Sequence, residues 1–206
     1  MHVTRCLLAV LLLGATTVTV EAQGNAGAAA GAKGFFLGAA VNGSSLTADD
    51  LDDESETGVG LLLQLGFGFN PQLALFLEGS GASMQSDGES WILSHGDLGL
   101  RYHFTAPGRL FVPFIDAAFT AWSGSQDNAD LDGQLGDLEI SGTGFSFGGG
   151  FLYYFSSRVA LNAQLKYTKG EFNKVRFENV TVDGLDIDAS SGRFNVGLTW
   201  FLGGGR

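Results

Sequence analysis

Cysteine, proline and basic residues are scarce in this chain. Its 206 residues hold one Cys, three Pro and eleven Lys plus Arg, set against 22 Asp plus Glu. A lone cysteine excludes a disulfide framework and a Cys-rich zinc site. A formal charge of −11 leaves no basic footprint, so no nucleic-acid partner is expected. Beyond the N-terminal segment no stretch offers the roughly 18 consecutive apolar residues of a membrane-spanning helix. Glycine and phenylalanine are abundant instead, at 32 and 17 residues, and a hydrophobic share of 45% is that of a folded chain. The length suits one domain.

Residues 1–22 begin with His2 and Arg5, run through an apolar stretch from Cys6 past Leu13, and end Val20-Glu21-Ala22. A basic start, an apolar middle and a small-residue cleavage site predict a signal peptide cut after Ala22. The apolar stretch is short of the ~20 residues of a spanning helix. Cleavage removes the single Cys and leaves an exported chain without thiols. Residues 23–33, almost entirely Gly and Ala, read as a leader with no core to join.

From Phe35 onward apolar residues recur at every second position, the signal of strands. Val59, Leu61, Leu63, Leu65, Phe67 and Phe69 alternate with Gly58, Gly60, Gln64, Gly66 and Gly68. Phe145, Phe147, Phe151, Tyr153 and Phe155 alternate with Gly144, Ser146, Gly148 and Gly150. Phe194, Val196, Leu198, Trp200 and Leu202 alternate with Arg193, Asn195, Gly197 and Thr199. The polar face is mostly glycine with scattered charges, unlike the Lys, Glu and Thr of a solvated exterior. Such a face suits a narrow lumen, with the apolar face turned to lipid. A charge at Gln64, in the lumen, is therefore expected to cost less than one at Leu63.

Short turns at 70–72, 105–109 and 156–158 alternate with longer acidic segments at 48–57, 86–90, 124–139 and 170–188. Short turns at one rim and long loops at the other mark an outer-membrane barrel. The expected fold class is all-β: a closed antiparallel transmembrane β-barrel over residues 34–202, followed by a Gly-rich tail at 203–206. Eight strands are expected, at about 34–47, 57–69, 73–85, 90–104, 110–124, 140–155, 159–172 and 188–202, with short periplasmic turns and acidic extracellular loops. Each strand that enters a short turn, and the last strand, ends in an outward pair: Phe67/Phe69, Tyr102/Phe104, Tyr153/Phe155 and Trp200/Leu202. These pairs predict an aromatic girdle at the periplasmic interface.

The same parity places Glu78, His95, Asp97, Arg101, His103, Asp116, Lys166 and Arg193 inside. Buried charges are expensive unless paired, so Arg101, Lys166 and Arg193 are expected to pair with Glu78, Asp97 and Asp116, and Arg101 with Asp97 or Glu78. A barrel of this size leaves little more room than its own side chains fill, which favours a plugged lumen over a narrow pore.

Eighteen of the 22 acids fall in the four long segments, which predicts a negative crown facing outward. Within it, Asn128, Asp130, Asp132, Gly133 and Glu139 follow the twelve-residue calcium-loop spacing, with Asn128 in place of the first Asp. Apart from a Ca2+ ion there, no cofactor is expected. Ser94, His95 and Asp97 are triad residue types, but alternation turns Ser94 away from the other two, so no catalytic residue is expected.

At Gly99-Leu100-Arg101-Tyr102-His103-Phe104, Val112-Pro113-Phe114-Ile115-Asp116-Ala117-Ala118 and Asn195-Val196-Gly197-Leu198-Thr199-Trp200-Phe201-Leu202 the chain resembles the small outer-membrane β-barrel family of OmpA-, OmpX- and OmpW-like proteins. The resemblance implies an outer-membrane location in a Gram-negative-type envelope. It also implies a terminal assembly signal at Asn195, Gly197, Trp200 and Leu202, read by the barrel-assembly machinery. Residues 203–206 extend past the point where relatives usually stop. The expected protein is a non-enzymatic barrel, monomeric, in contact with outer-membrane lipids and lipopolysaccharide, with a structural or surface-interaction role. Two alternatives remain at this point: a porin-like channel for small, even apolar, molecules, as OmpW-like relatives suggest, and a lipid-modifying enzyme.

Overall fold

Period-two alternation becomes a strand wherever one face can be buried and the other can meet an apolar solvent. The computed structural model describes residues 33–48, 55–86, 89–106, 108–131, 134–177 and 180–202. The expected signal peptide, nearly all of the leader and the tail at 203–206 lie outside them. Eight strands follow in chain order: β1 (Gly34–Ala48), β2 (Ser55–Gly68), β3 (Leu73–Ser86), β4 (Glu89–His103), β5 (Phe111–Leu131), β6 (Gln134–Tyr154), β7 (Val159–Phe177) and β8 (Val180–Phe201). Each pairs antiparallel with the next, and β1 pairs with β8 from Phe36↔Phe201 to Ala48↔Ala189, closing the barrel. Closure satisfies the backbone and leaves the spanning region without an edge.

The turns at the near rim are built by side chains. Asn70 accepts backbone N–H bonds from Gln72 and Leu73, both at 2.8 Å, and Ser156 accepts from Arg158 at 3.3 Å and Val159 at 3.2 Å. Both are local hydrogen-bonded turns that Asn and Ser favour. Inward glycines permit the tight curvature of eight strands. A Cβ at Gly60 would run into the Gly81 carbonyl of the next strand, and one at Gly197 into the Ala39 carbonyl.

The outward face is a continuous apolar belt. Leu61 and Leu63 are each 68% exposed, Leu65 stands out beside them, and Leu77, Leu98, Ile115, Phe119, Phe145, Phe147 and Phe194 stand out on the other strands. A belt of that extent is suited to lipid, not water. The girdle pairs point outward at one rim, with edge-to-face contacts at Phe67–Phe69 (5.6 Å), Tyr102–Phe104 (5.2 Å) and Tyr153–Phe155 (5.5 Å).

At the far rim the structure corrects the expected loops. Pairing of β4 with β5 stops at Ile92↔Ser125 and that of β1 with β8 at Ala48↔Ala189. Yet β5–β6 pairing continues to Leu131↔Gln134 and β7–β8 pairing to Phe177↔Val180. Most of 124–139 and 170–188 is therefore ladder, and a four-stranded extension of β5–β8 stands above the barrel. Asp137, Glu139, Glu171, Asp183 and Asp188, which read as loop, lie instead on strands with one solvated face, where charge does not break pairing. On that face Glu139 meets Arg176 at 3.2 Å and Lys174 meets Asp183 at 3.3 Å. The other face carries Ile140↔Val175↔Val182 and Leu138↔Phe177↔Val180, and Ile140 packs on the cluster of Trp122, Phe172 and Ala189 at the mouth.

Candidate functional site

Register decides which lumen charges meet. On β3 and β4, Glu78 lies directly opposite Asp97; on β7 and β8, Lys166 lies directly opposite Arg193. Like charges at directly opposed positions destabilise a sheet, so neither pair is stable alone. Across the lumen each offsets the other. Lys166 Nζ reaches Glu78 at 2.6 Å and Asp97 at 3.0 Å, while Arg193 Nη1 lies 2.8 Å from Asp97 and 3.9 Å from Glu78. All four side chains are fully buried.

The third pair forms between neighbouring strands. Arg101 sits opposite Asp116, and its Nη2 and Nε donate to the same carboxylate oxygen at 2.9 and 3.2 Å. This corrects the expected pairing of Arg101 with Asp97 or Glu78: those acids face β7 and β8, whereas Asp116 is the cross-strand neighbour. Gln64 ties the two sets together, donating to Glu78 at 2.8 Å and accepting from Arg101 at 3.3 Å. Gln164 donates to Asp116 at 2.7 Å. Thr120 donates to Asp97 at 2.6 Å, and Ser146 and Thr168 each accept from Arg193 at 3.0 Å. Sequence reasoning placed Gln64 in the lumen but named neither it, Gln164 nor the hydroxyls as partners of the charges, although inward parity marks every one of them.

Above and below this ionic tier large apolar side chains fill much of the lumen, which corrects the expectation of a glycine-lined interior. Towards the short turns lie Phe36, Phe76, Phe114, Leu152, Tyr154 and Phe201, all buried in one cluster. The Arg101 guanidinium stacks over Phe114, 4.0 Å from the ring centre, and Lys166 Nζ lies 4.9 Å from that of Phe76. Such contacts stabilise desolvated cations. Towards the long hairpins lie Ala82, Met84 and Leu93 on one side and Trp122, Phe172 and Ala189 on the other, with Leu46 against both.

His95 lies between the ionic tier and the upper cluster, its ring 5.9 Å from Trp122. Neither of its nitrogens has a hydrogen-bond partner in the described structure. Ser80 lies directly opposite it on the same face, a neighbour that sequence reasoning missed; its hydroxyl is likewise unpartnered. Ser94 points to the outer wall, as parity required. Asp97 is held by Lys166, Arg193 and Thr120, so no hydrogen-bonded chain links it through His95 to Ser80. His103 lies near the short turns, 6.0 Å from Phe114.

The expected assembly signal is split between the two faces of β8. Asn195 is buried and accepts from Asn42 at 2.6 Å, whereas Trp200 and Leu202 are exposed in the girdle. The calcium-loop spacing calls for a coil, but Asp130 lies in a β5–β6 ladder, opposite Leu135. Glu139 is engaged with Arg176. The side chains of Asn128 and Asp130, and all of Asp132, lie outside the described residues.

Comparison with known proteins agrees with this architecture. No curated protein matches the chain in sequence. Neisserial surface protein A shares the fold at a TM-score of 0.64 and 17% identity, over 82% of this chain and 98% of its own. OprG from Pseudomonas aeruginosa does so at 0.56 and 11%, over 84% and 97%. AlkL in DMPC lipid bilayers does so at 0.52 and 15%, over 84% and 93%. The outer membrane protein beta-barrel domain family matches residues 8–200, which include all but the last residue of the closed ladder just described, and the chain belongs to that family of the outer membrane.

Proposed function

We propose that the protein is a plugged, non-enzymatic barrel that anchors the β5–β8 extension at the cell surface as an interaction module. The observation that carries this reading is the filled lumen: three cations and three carboxylates, all buried and mutually bonded, between an aromatic tier and a pair of apolar clusters. An ion entering this lumen would have to break pairs held at low dielectric, which is costly. The amphipathic extension supports a surface role, since its ion-paired face and its apolar face are both presented beyond the closed ladder. The outward Ser94 and the fully engaged Asp97 support the absence of catalysis.

Planar-bilayer recording of the wild-type protein tests the plug. No steady conductance is expected, and regular single-channel openings would overturn the reading in favour of a narrow channel. The mass spectrum of lipid A from overexpressing cells tests the non-enzymatic part: it should be unchanged, and a new or missing acyl chain would overturn it.

A further inference from the structure

The outer wall carries a groove of about 680 Å³ where β7, β8 and β1 meet, within the roughly 300–1,000 Å³ span of small-molecule sites. Register lays out its floor and walls. One row across the wall reads Phe147↔Tyr167↔Gly192↔Ser45↔Thr57. The row on its membrane side passes through Leu165, Phe194, Gly43 and Val59. Gly192 and Gly43 form a floor without side chains. Phe147 and Leu165, each 64% exposed, and Tyr167 and Phe194, each 52%, stand beside it. A third row, on the extracellular side, holds Phe145, Lys169, Ser190 and Thr47.

Lys169 is exposed on this wall and has no carboxylate within 4.0 Å among the described residues. The neighbouring outward cations Lys174 and Arg176 both have one. The next row up places Glu171 opposite Asp188. An anion drawn to Lys169 is thus repelled from the solvent side and held on the membrane side, above the groove. The whole site lies on the lipid-facing wall at the extracellular border of the apolar belt.

We infer that this groove is a site for one anionic lipid of the outer leaflet: an acyl chain lies over Gly43 and Gly192 against the four large side chains, and its headgroup phosphate sits on Lys169 with the Ser190 hydroxyl beside it. The charge of Lys169 selects phosphate, and the glycine floor selects a flexible hydrocarbon chain. The site is independent of whether the lumen is plugged.

The test is retention of lipid by the full-length protein purified in mild detergent, read by native mass spectrometry. Diphosphoryl lipid A, its dephosphorylated form and phosphatidylcholine serve as probes. Wild type should keep a copy of diphosphoryl lipid A through washing, in preference to phosphatidylcholine. Lys169→Ala should weaken that retention about fivefold and leave the dephosphorylated form unchanged, as expected for one basic residue near a lipid phosphate. Gly43→Leu should abolish retention of both forms. Its added Cβ meets only the Phe194 carbonyl at 3.8 Å, so the barrel should still close, which heat-modifiable gel mobility reports. Lys174→Ala, at a cation already paired, should change nothing. Equal retention by wild type, Lys169→Ala and Gly43→Leu, or a preference for phosphatidylcholine, would overturn the assignment. Should Gly43→Leu not fold, Lys169→Ala decides alone.

Discussion

Among the described residues there are two sets of ion pairs made from the same residue types, one in the lumen and one on the outer face of the extension. Lys166 with Glu78 and Asp97, Arg193 with Asp97, and Arg101 with Asp116 are fully buried. Lys174 with Asp183 and Arg176 with Glu139 lie 41–70% exposed. Burial changes what the pairs are worth. An exposed pair is screened and loses side-chain entropy on forming, so it contributes little. A buried pair has given up hydration for both ions, so its net contribution can be small while the loss of one partner is severe. The lumen set therefore acts as a lock that resists partial removal, and the outer set trims the surface of a ladder that hydrogen bonds and apolar packing already hold.

The largest expected effect is the loss of a lumen cation. Lys166→Met leaves Glu78 and Asp97 side by side with only Arg193 between them, and should cost about 3–5 kcal/mol, the scale for a buried charge stripped of its partner. Arg101→Met should fall in the same range by stranding Asp116. Urea unfolding in lipid vesicles, followed by tryptophan fluorescence, measures both. The comparison sharpens in the double variant: Arg101→Met with Asp116→Leu removes both charges and should recover most of the loss. A double variant no better than Arg101→Met would mean that packing around Phe114, not charge, holds this tier.

Next comes the outer wall. Leu63→Arg should cost roughly 2–4 kcal/mol, as for a cation facing the bilayer midplane. The expectation that a charge at the adjacent Gln64 would cost less does not survive the structure. Gln64 is 4% exposed and already donates to Glu78 and accepts from Arg101. Gln64→Glu would set a further carboxylate beside Glu78 and break that donation, so it should destabilise at least as much as Leu63→Arg in the same unfolding measurement. A mild Gln64→Glu would show that water reaches the ionic tier, and would weaken the plug with it.

The strands and inward charges were legible because a period of two is a local property: residue 63 and residue 64 must face opposite ways whatever the rest of the chain does. Pairing was less legible because it is non-local. Arg101 meets Asp116 through the β4–β5 register, and Lys166 meets Glu78 only because the barrel closes and brings β7 across from β3. Closure was expected from the alternation of short turns and long segments, but the register that chooses these partners cannot be read from spacing. The apolar tiers were within reach, since Phe76 and Trp122 occupy inward positions, but the abundance of inward glycine suggested space. The structure shows that many of those glycines serve close strand approach, as at Gly60 and Gly197, and the lumen volume goes to aromatic rings. The long hairpins were read as loops because five acids fall in each of 124–139 and 170–188, and composition does not tell a solvated strand face from a loop.

The smallest expected effect lies on the extension, and it makes the comparison decisive. Arg176→Ala should cost under about 1 kcal/mol, and that difference should shrink further in high salt, because both members of its pair are about half exposed and screened. Urea unfolding at low and high ionic strength reads it. The neighbouring ladder residues explain why so little is lost: Ile140↔Val175↔Val182 keeps the β6–β7–β8 pairing on its apolar face when the ionic face is trimmed. Suppose instead that Arg176→Ala cost as much as Lys166→Met and did so independently of salt. The outer face would then be desolvated in the membrane-embedded protein, covered by a partner or by lipid headgroups, and the contrast between a sealed lumen and a solvated extension would collapse.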